Sequence, residues 1–260
     1  MYAMVEGLVT REWDAGSYHR VSTPHQDWGR AVLERLELDG GETVLDLGCG
    51  TGRITRALLE RLPDGRVIAV DGSAAMVAAA RENLPAERAT VVHSDLLALD
   101  LAGLPGIPAD AAISTATFHW IADHDALFAR VRDQLRPGAQ FVAQCGGAGN
   151  LARVRPAIDR VAAGPAFADV FAGWRGPWHY ATAEETAAKL ERAGFEVADC
   201  WLQPWPVTVA DPRTFYATVI LGAHLDRLPA ARRDGFVDAV LEVVPDELDY
   251  VRLNWVARRR

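Results

Sequence analysis

The 260-residue sequence predicts an α/β protein with a doubly wound, mostly parallel seven-stranded sheet, N-terminal helices and an inserted helical cap. Short apolar or β-branched runs alternate with amphipathic helical stretches from Gly41 onward. That alternation is the mark of parallel strands covered on both faces by helices. A glycine-rich turn links the first run to the first of these helices, and the last run, 250–257, suits an antiparallel partner for the run before it.

Residues 1–40 read as helical, with Ala31, Val32, Leu33, Leu36 and Leu38 forming an apolar stripe after Trp28. Strands are expected at 43–47, 66–71, 90–93, 111–114 and 140–144, with helices at 54–62, 74–83 and 125–135 between them. The turn Arg136-Pro137-Gly138 introduces the fifth strand. Beyond Cys145 the chain breaks into Gly146, Gly147 and Gly149, then runs to Tyr180 rich in Ala, Gly and Trp, a composition expected of a helical insertion or lid. A helix at 182–193 stops at Gly194, a strand fills 195–209, and helices follow at 212–225 and 229–243. No repeat or low-complexity linker divides the chain, so a single domain is expected over 1–260. Its parts would be an N-terminal segment (1–40), a cofactor-binding core (41–145), a substrate cap (146–180 and 211–245) and the remaining sheet (181–210 and 246–260).

Composition narrows the partners. Cys49, Cys145 and Cys200 are too few and too scattered for a disulfide framework or a zinc site, which fits a reducing cytoplasm, and no metal is expected. Neither a signal peptide nor an uninterrupted membrane-spanning run is apparent. The formal charge of -8 argues against nucleic acid, which needs a basic face; Arg258–Arg260 reads as a solvated tail.

The sharpest motif is Asp46-Leu47-Gly48-Cys49-Gly50-Thr51-Gly52, a strand entering a turn that opens a helix. Glycine lets the backbone approach a ligand closely there. A dinucleotide fingerprint would be spaced G-x-G-x-x-G; here the spacing is G-x-G-x-G, and the preceding acid would repel a pyrophosphate while suiting an ammonium group. Asp71 ends the second strand, where an acid can accept hydrogen bonds from ribose hydroxyls. Asp95 follows the third, within reach of an adenine amino group. Each acid alone reads most simply as a helix cap. Together with the glycine turn, they line up along the rim where open α/β sheets bind ligands.

These residues, with Val70-Asp71-Gly72-Ser73, Met76 and Ser94-Asp95, resemble the class I S-adenosylmethionine-dependent methyltransferases, whose fold is Rossmann-like. The resemblance is close over 43–144. It implies S-adenosylmethionine as cofactor, with Asp46 and Gly48 at the methionine end, Cys49 and Gly50 in the same turn, and Asp71 at the ribose. Gly72, Ser73 and Met76 would surround ribose and adenine, Ser94, Asp95 and Leu96 would meet the adenine edge, and Thr115 would close the site at the fourth strand.

Phe118-His119-Trp120-Ile121, the segment from Tyr18 to Trp28, and the closing Val251-Arg252-Leu253-Asn254-Trp255-Val256-Ala257-Arg258 are similar to the trans-aconitate and juvenile hormone acid methyltransferases. That likeness implies a small carboxylic acid as acceptor, met by Trp120 and by His25 or Gln26. A carboxylate is ionised near neutral pH and needs no base. A hydroxyl or phenol would, and His119, His25 or His179 could then supply one. O- or C-methylation of a natural-product intermediate, and a non-methylating scaffold or cyclase that keeps the cofactor, remain alternatives.

Overall fold

The structure is a computed structural model and describes residues 12–13 and 23–260, the side chains of 23–27 excepted. Helix α1 (Thr23–Leu33) precedes an alternating series. The series runs β1 (Thr43–Leu47), α2 (Arg53–Glu60), β2 (Arg66–Asp71), α3 (Ala74–Asn83), β3 (Ala89–His93), β4 (Ala109–Thr115), α4 (His124–Asp133) and β5 (Leu135–Gly146). Next come α5 (Val154–Ala162), α6 (Ala168–Phe171), α7 (Ala183–Arg192) and β6 (Phe195–Pro204). The chain finishes with β7 (Val207–Thr208), α8 (Pro212–Phe215), α9 (Gly222–Arg227), α10 (Ala230–Leu241), β8 (Glu247–Leu248) and β9 (Val251–Arg259).

Seven strands form one sheet in the order β3-β2-β1-β4-β5-β9-β6. All pairings from β3 to β5 are parallel, whereas β9 runs antiparallel between β5 and β6. The order reverses at β1, which lies between β2 and β4. A crevice therefore opens beyond the carboxyl ends of β1 and β4, the place where doubly wound sheets take their ligands.

Local chemistry sets the boundaries. Every residue of β1 is buried, as a strand covered on both faces requires. Ser73 begins α3 by accepting the Met76 amide with its hydroxyl. Thr182 and Glu185 make a reciprocal capping box on α7, and Gly194 takes the left-handed turn (φ +95°) that ends it. The turn expected at Arg136-Pro137-Gly138 appears as a register shift within β5: Leu135 faces Ala109 but Gln140 faces Ala111, with Gly138 at φ +81°.

Three expectations are corrected. The strand predicted over 195–209 breaks at Pro204-Trp205-Pro206, because two prolines cannot donate to a ladder, and its end becomes β7, paired with β8 in a separate ribbon. The helix predicted over 212–225 is interrupted by a π-turn, Tyr216–Ile220. Of the helical reading over 1–40, α1 is present and 34–42 is turn and loop; residues 1–11 and 14–22 lie outside the described set.

Apolar cores lie on both faces of the sheet. One centres on Trp255 of β9 with Phe118, Phe128 and Phe141; the other lies beneath α1, α2 and α3. A further core unites α5, α6, the π-turn and α10 with Trp28 and Tyr250, so the segments on either side of α7 and β6 form one helical layer.

Candidate functional site

A cavity of about 550 Å³ opens at the reversal point. The turn after β1 forms its floor. Gly48 has φ +80° and donates its N–H to Val70 O (2.7 Å); a Cβ there would come within 2.1 Å of Thr117 Oγ1. Gly50 has φ +55°, and a Cβ there would meet nothing within 4 Å among the described residues, so the turn leaves space for a ligand. Its N–H donates to Asp71 Oδ2 (2.8 Å), while Asp71 Oδ1 accepts the Ser73 amide (2.9 Å). Asp71 thus ties the first and second strand ends together, and burial raises its pKa.

Gly72, Ser73 and Met76 continue the wall. The Ser73 hydroxyl donates to Glu12 Oε2 (2.9 Å), and the Glu12 carboxylate also accepts the Ala74 and Ala75 amides (3.0 and 3.2 Å), bringing Trp13 across the cavity. Asp95 and Leu96 line the far side, and Asp95 Oδ1 caps the following turn through the Leu97 amide (2.9 Å). Thr115 ends β4 on the wall. Next to it, Ala116 is held at φ +54°, a strained conformation for a residue with a Cβ, and lines the same space.

Three predicted residues sit off this wall. Asp46 is 1 % exposed and lies under the floor. Its Oδ2 accepts the Thr55 hydroxyl (2.6 Å), its Oδ1 is buried with no hydrogen-bond partner among the described residues, and burial pushes its pKa up to about 6. Cys49 turns into the core beneath α1–α3. Ser94 braces the rim, giving its N–H to Asp71 O (3.0 Å) and its hydroxyl to Asp95 O (3.0 Å).

Opposite the floor, Trp120, Ile121, Trp174, Trp178 and His179 form an aromatic wall. Trp120 packs edge-on against Trp13 (centroids 5.3 Å apart) and faces Trp178 at 6.3 Å. His179 gives its N–H to His119 O (2.8 Å), and its Nε2 is buried with no partner among the described residues. Burial lowers the pKa of His179 and takes that of its neighbour His124 down to about 4, so both rings are neutral near pH 7. His119 does not reach the large cavity: its Nδ1 accepts the Gly146 amide (3.3 Å), and it lines a smaller adjoining one. Phe171 packs in the helical-layer core, and Arg56 is exposed. His25 and Gln26 lie outside the described side chains.

The sequence reading missed Trp13, Gln144, Asn150 and Arg252 around these cavities. One signal was available for Arg252: polar residues alternate with Leu253 and Trp255 along the last strand, which marks a face turned away from the aromatic core.

Sheet order, the reversed last strand and a glycine turn beside an acid at the end of β2 define a cofactor-binding protein of the Rossmann-like methyltransferase class. Comparison with known proteins agrees. A family profile described as "Methyltransferase domain" matches residues 44–138. The trans-aconitate 2-methyltransferase of Paracidovorax citrulli is 30 % identical over 95 % of this chain and 98 % of its own. The enzyme of that name from an Azoarcus species is 36 % identical over about half of each chain (51 % and 50 %). An S-adenosylmethionine-dependent methyltransferase from Mesorhizobium loti shares the fold, with a TM-score of 0.54 and 21 % identity, covering 88 % of this chain and 96 % of that one. The chain belongs to the class I S-adenosylmethionine-dependent methyltransferases. It is an enzyme that takes S-adenosylmethionine as cofactor and a small molecule as methyl acceptor. Among the described residues no helix is long and apolar enough to cross a membrane.

The floor fits that cofactor. An open glycine cradle, a buried acceptor atom on Asp46 and acids at the ends of β2 and β3 suit an ammonium group, a ribose and an adenine.

Proposed function

We propose that this enzyme methylates a carboxylate oxygen of a small organic acid, giving a methyl ester. The observation that carries the reading is the division of the cavity wall: its acids, Asp71 and Asp95, stand on the cofactor rim, and the facing wall is aromatic. A carboxylate acceptor needs no acid–base partner on that side, because it is already ionised. The names of the relatives point the same way. The helical layer serves as a substrate cap, contributing Trp174, Trp178 and His179.

In this reading Asp46 and Gly48 serve the methionine end, Asp71 the ribose, and Asp95 and Leu96 the adenine, with Gly72, Ser73, Met76 and Thr115 shaping the walls. The bound cofactor supplies an electrophilic methyl group on a sulfonium. The protein's part is to hold the acceptor oxygen in line and exclude water, tasks that suit the Trp13, Trp120 and Trp178 rings. The Trp120 indole N–H orients the acceptor from the edge of the site, and His25 or Gln26 are the partners that the resemblance offers it.

Incubation with methyl-labelled S-adenosylmethionine and a panel of small acids, phenols and amines, followed by mass spectrometry, tests the proposal. Base-labile labelled esters are expected. Label on a hydroxyl, lost in His179→Gln, would favour a second reading in which the unpartnered His179 Nε2 acts as base. His119 suits that task less, since its Nδ1 already accepts a backbone N–H and the neutral ring then carries its proton on Nε2.

Two substitutions check the site. Asp71→Ala is expected to weaken cofactor binding by about 2 kcal/mol, read by calorimetry, because charged hydrogen bonds are lost; unchanged affinity would remove Asp71 from the ribose site. Trp120→Phe replaces the indole with a smaller phenyl ring and loses the N–H, so kcat should fall about tenfold with cofactor affinity intact. Equal turnover would mean that the indole does not touch the acceptor.

A further inference from the structure

We propose that Thr117 is a positioning residue for methyl transfer: its hydroxyl pins the turn that carries Trp120 to the glycine turn of the cofactor floor, and so passes cofactor occupancy on to the acceptor wall. The inference rests on the reading that Trp120 faces the acceptor, whichever atom of that acceptor is methylated.

The crevice opens where β1 and β4 diverge. Their parallel ladder ends at the pair Asp46–Ile113, and two side-chain hydroxyls continue it. Ser114 Oγ donates to Leu47 O (2.6 Å), and Thr117 Oγ1 to the next carbonyl, Gly48 O (3.3 Å). Successive carbonyls at the end of the first strand are thus held from the fourth, across a gap that is already widening for a ligand.

Thr117 also fits Gly48 by shape. A Cβ on residue 48 would lie 2.1 Å from Thr117 Oγ1, 2.4 Å from Cγ2 and 2.7 Å from Cβ, so the threonine side chain fills the place that a side chain at 48 would need. Glycine there lets the acceptor turn dock directly on the floor.

The link runs on in both directions through short bonds. Gly48 gives its N–H to Val70 O (2.7 Å), next to Asp71, and Thr117 O accepts the Trp120 N–H (3.0 Å). Ala116, Thr117 and Trp120 all line the large cavity. A hydroxyl has a single proton to donate. Thr115 O is a second acceptor for it, at 3.0 Å, so the bond to Gly48 O can form or release without leaving the donor unpaired. Such a contact has two arrangements, which is what coupling between two sites requires. With the floor filled, the proton stays on Gly48 O and the Trp120 turn is fixed; with the floor empty, it turns to Thr115 O.

In-line transfer needs the reacting atoms about 3–3.5 Å apart, and an error of about 1 Å costs on the order of 100-fold in rate. The floor belongs to β1 and β2, and the acceptor wall to the end of β4 and the helical layer. Thr117 stands where those halves meet.

The test follows amide hydrogen exchange by NMR in the full chain, with and without S-adenosylhomocysteine. In the unaltered protein, binding is expected to slow exchange of the Trp120 and Ile121 amides about tenfold. Thr117→Val keeps the branching of the side chain and loses the hydroxyl. It should bind S-adenosylhomocysteine within about threefold of the parent by calorimetry, while the slowing shrinks to less than about twofold. Thr117→Ser, which regains the hydroxyl, should regain most of the slowing. With methyl-labelled S-adenosylmethionine and the acceptor panel above, kcat should fall about tenfold in the valine variant, with KM for the cofactor within about threefold, and largely recover in the serine variant. A residue that only supported the fold would lower cofactor affinity and kcat together. That result, undiminished slowing in Thr117→Val, or no slowing in the unaltered protein would each overturn the link. If valine prevents folding, Thr117→Ala is read in the same way, and if no acceptor in the panel takes label, exchange decides alone. Slowing that depends on Thr117, with normal turnover in Trp120→Phe, would keep the link and discard Trp120 as the acceptor's contact.

Discussion

Asp46→Asn is expected to stabilise the ligand-free protein while weakening cofactor binding. Burial lifts the Asp46 carboxyl from 3.8 to about 6, so above pH 6 the folded protein holds an ionised group that its surroundings disfavour. A raised carboxyl pKa means that stability declines as pH rises from the unfolded value to the folded one, by about 3 kcal/mol in total. Asparagine abolishes that cost but buries an amide N–H where Oδ1 had no partner among the described residues, which offsets part of the gain. The net effect should be about 1–2 kcal/mol, or about 3–6 °C in Tm near pH 7.5. Cofactor affinity should fall roughly 10- to 100-fold in the variant, because a charge-assisted interaction with the ammonium is lost. In the parent protein that affinity should drop as pH falls through 6, where Asp46 gains a proton; in the variant it should be flatter. Unchanged affinity together with unchanged pH dependence would mean that the carboxylate does not sense the ligand.

Trp255→Ala carries the largest expected loss of stability, about 3–5 kcal/mol, as for other large-to-small changes of buried aromatic residues. The Trp255 ring is fully buried, stacked on Phe118 (centroids 5.7 Å apart, planes at 18°) and bordered by Phe128 at 5.7 Å and Phe141 at 5.6 Å. Phe118 begins the turn that carries Trp120 to the cavity, so turnover should fall at temperatures well below the midpoint of unfolding. Trp255→Phe is the informative control. It keeps a ring but removes a buried indole N–H that has no partner among the described residues, and should cost less than about 1.5 kcal/mol. Similar denaturant midpoints for the alanine and phenylalanine variants would show that the ring is not what supports the strand.

What could be read from the sequence followed from how far apart the cooperating residues lie. The floor comes from a few short stretches at strand ends, and each carries its own local sign: glycines where φ is positive, an acid at the end of a buried run, and a serine before a helix. The first two strands and the helix after the second were legible to the residue for the same reason. The helical layer was legible only in outline. Its π-turn depends on packing of Tyr216, Val219 and Ile220 into the shared core, and no local periodicity encodes that. The cluster of Gln144, Asn150, Tyr180 and Arg252 is assembled from three stretches brought together by the sheet and the layer above it, so its members look unremarkable one at a time.

The position of β9 has a consequence for synthesis. Residues 251–259 occupy the gap between β5 and β6, so those two strands cannot be joined until this segment has been synthesised and has left the ribosomal tunnel. Until then the nascent chain presents two open strand edges and an aromatic cluster without its central ring. The interval before β9 emerges is when self-association threatens most, and slower translation of the stretch between β6 and β9 would lengthen it. Folding of the enzyme is therefore gated by its last strand, the same strand that sets Arg252 beside the active site.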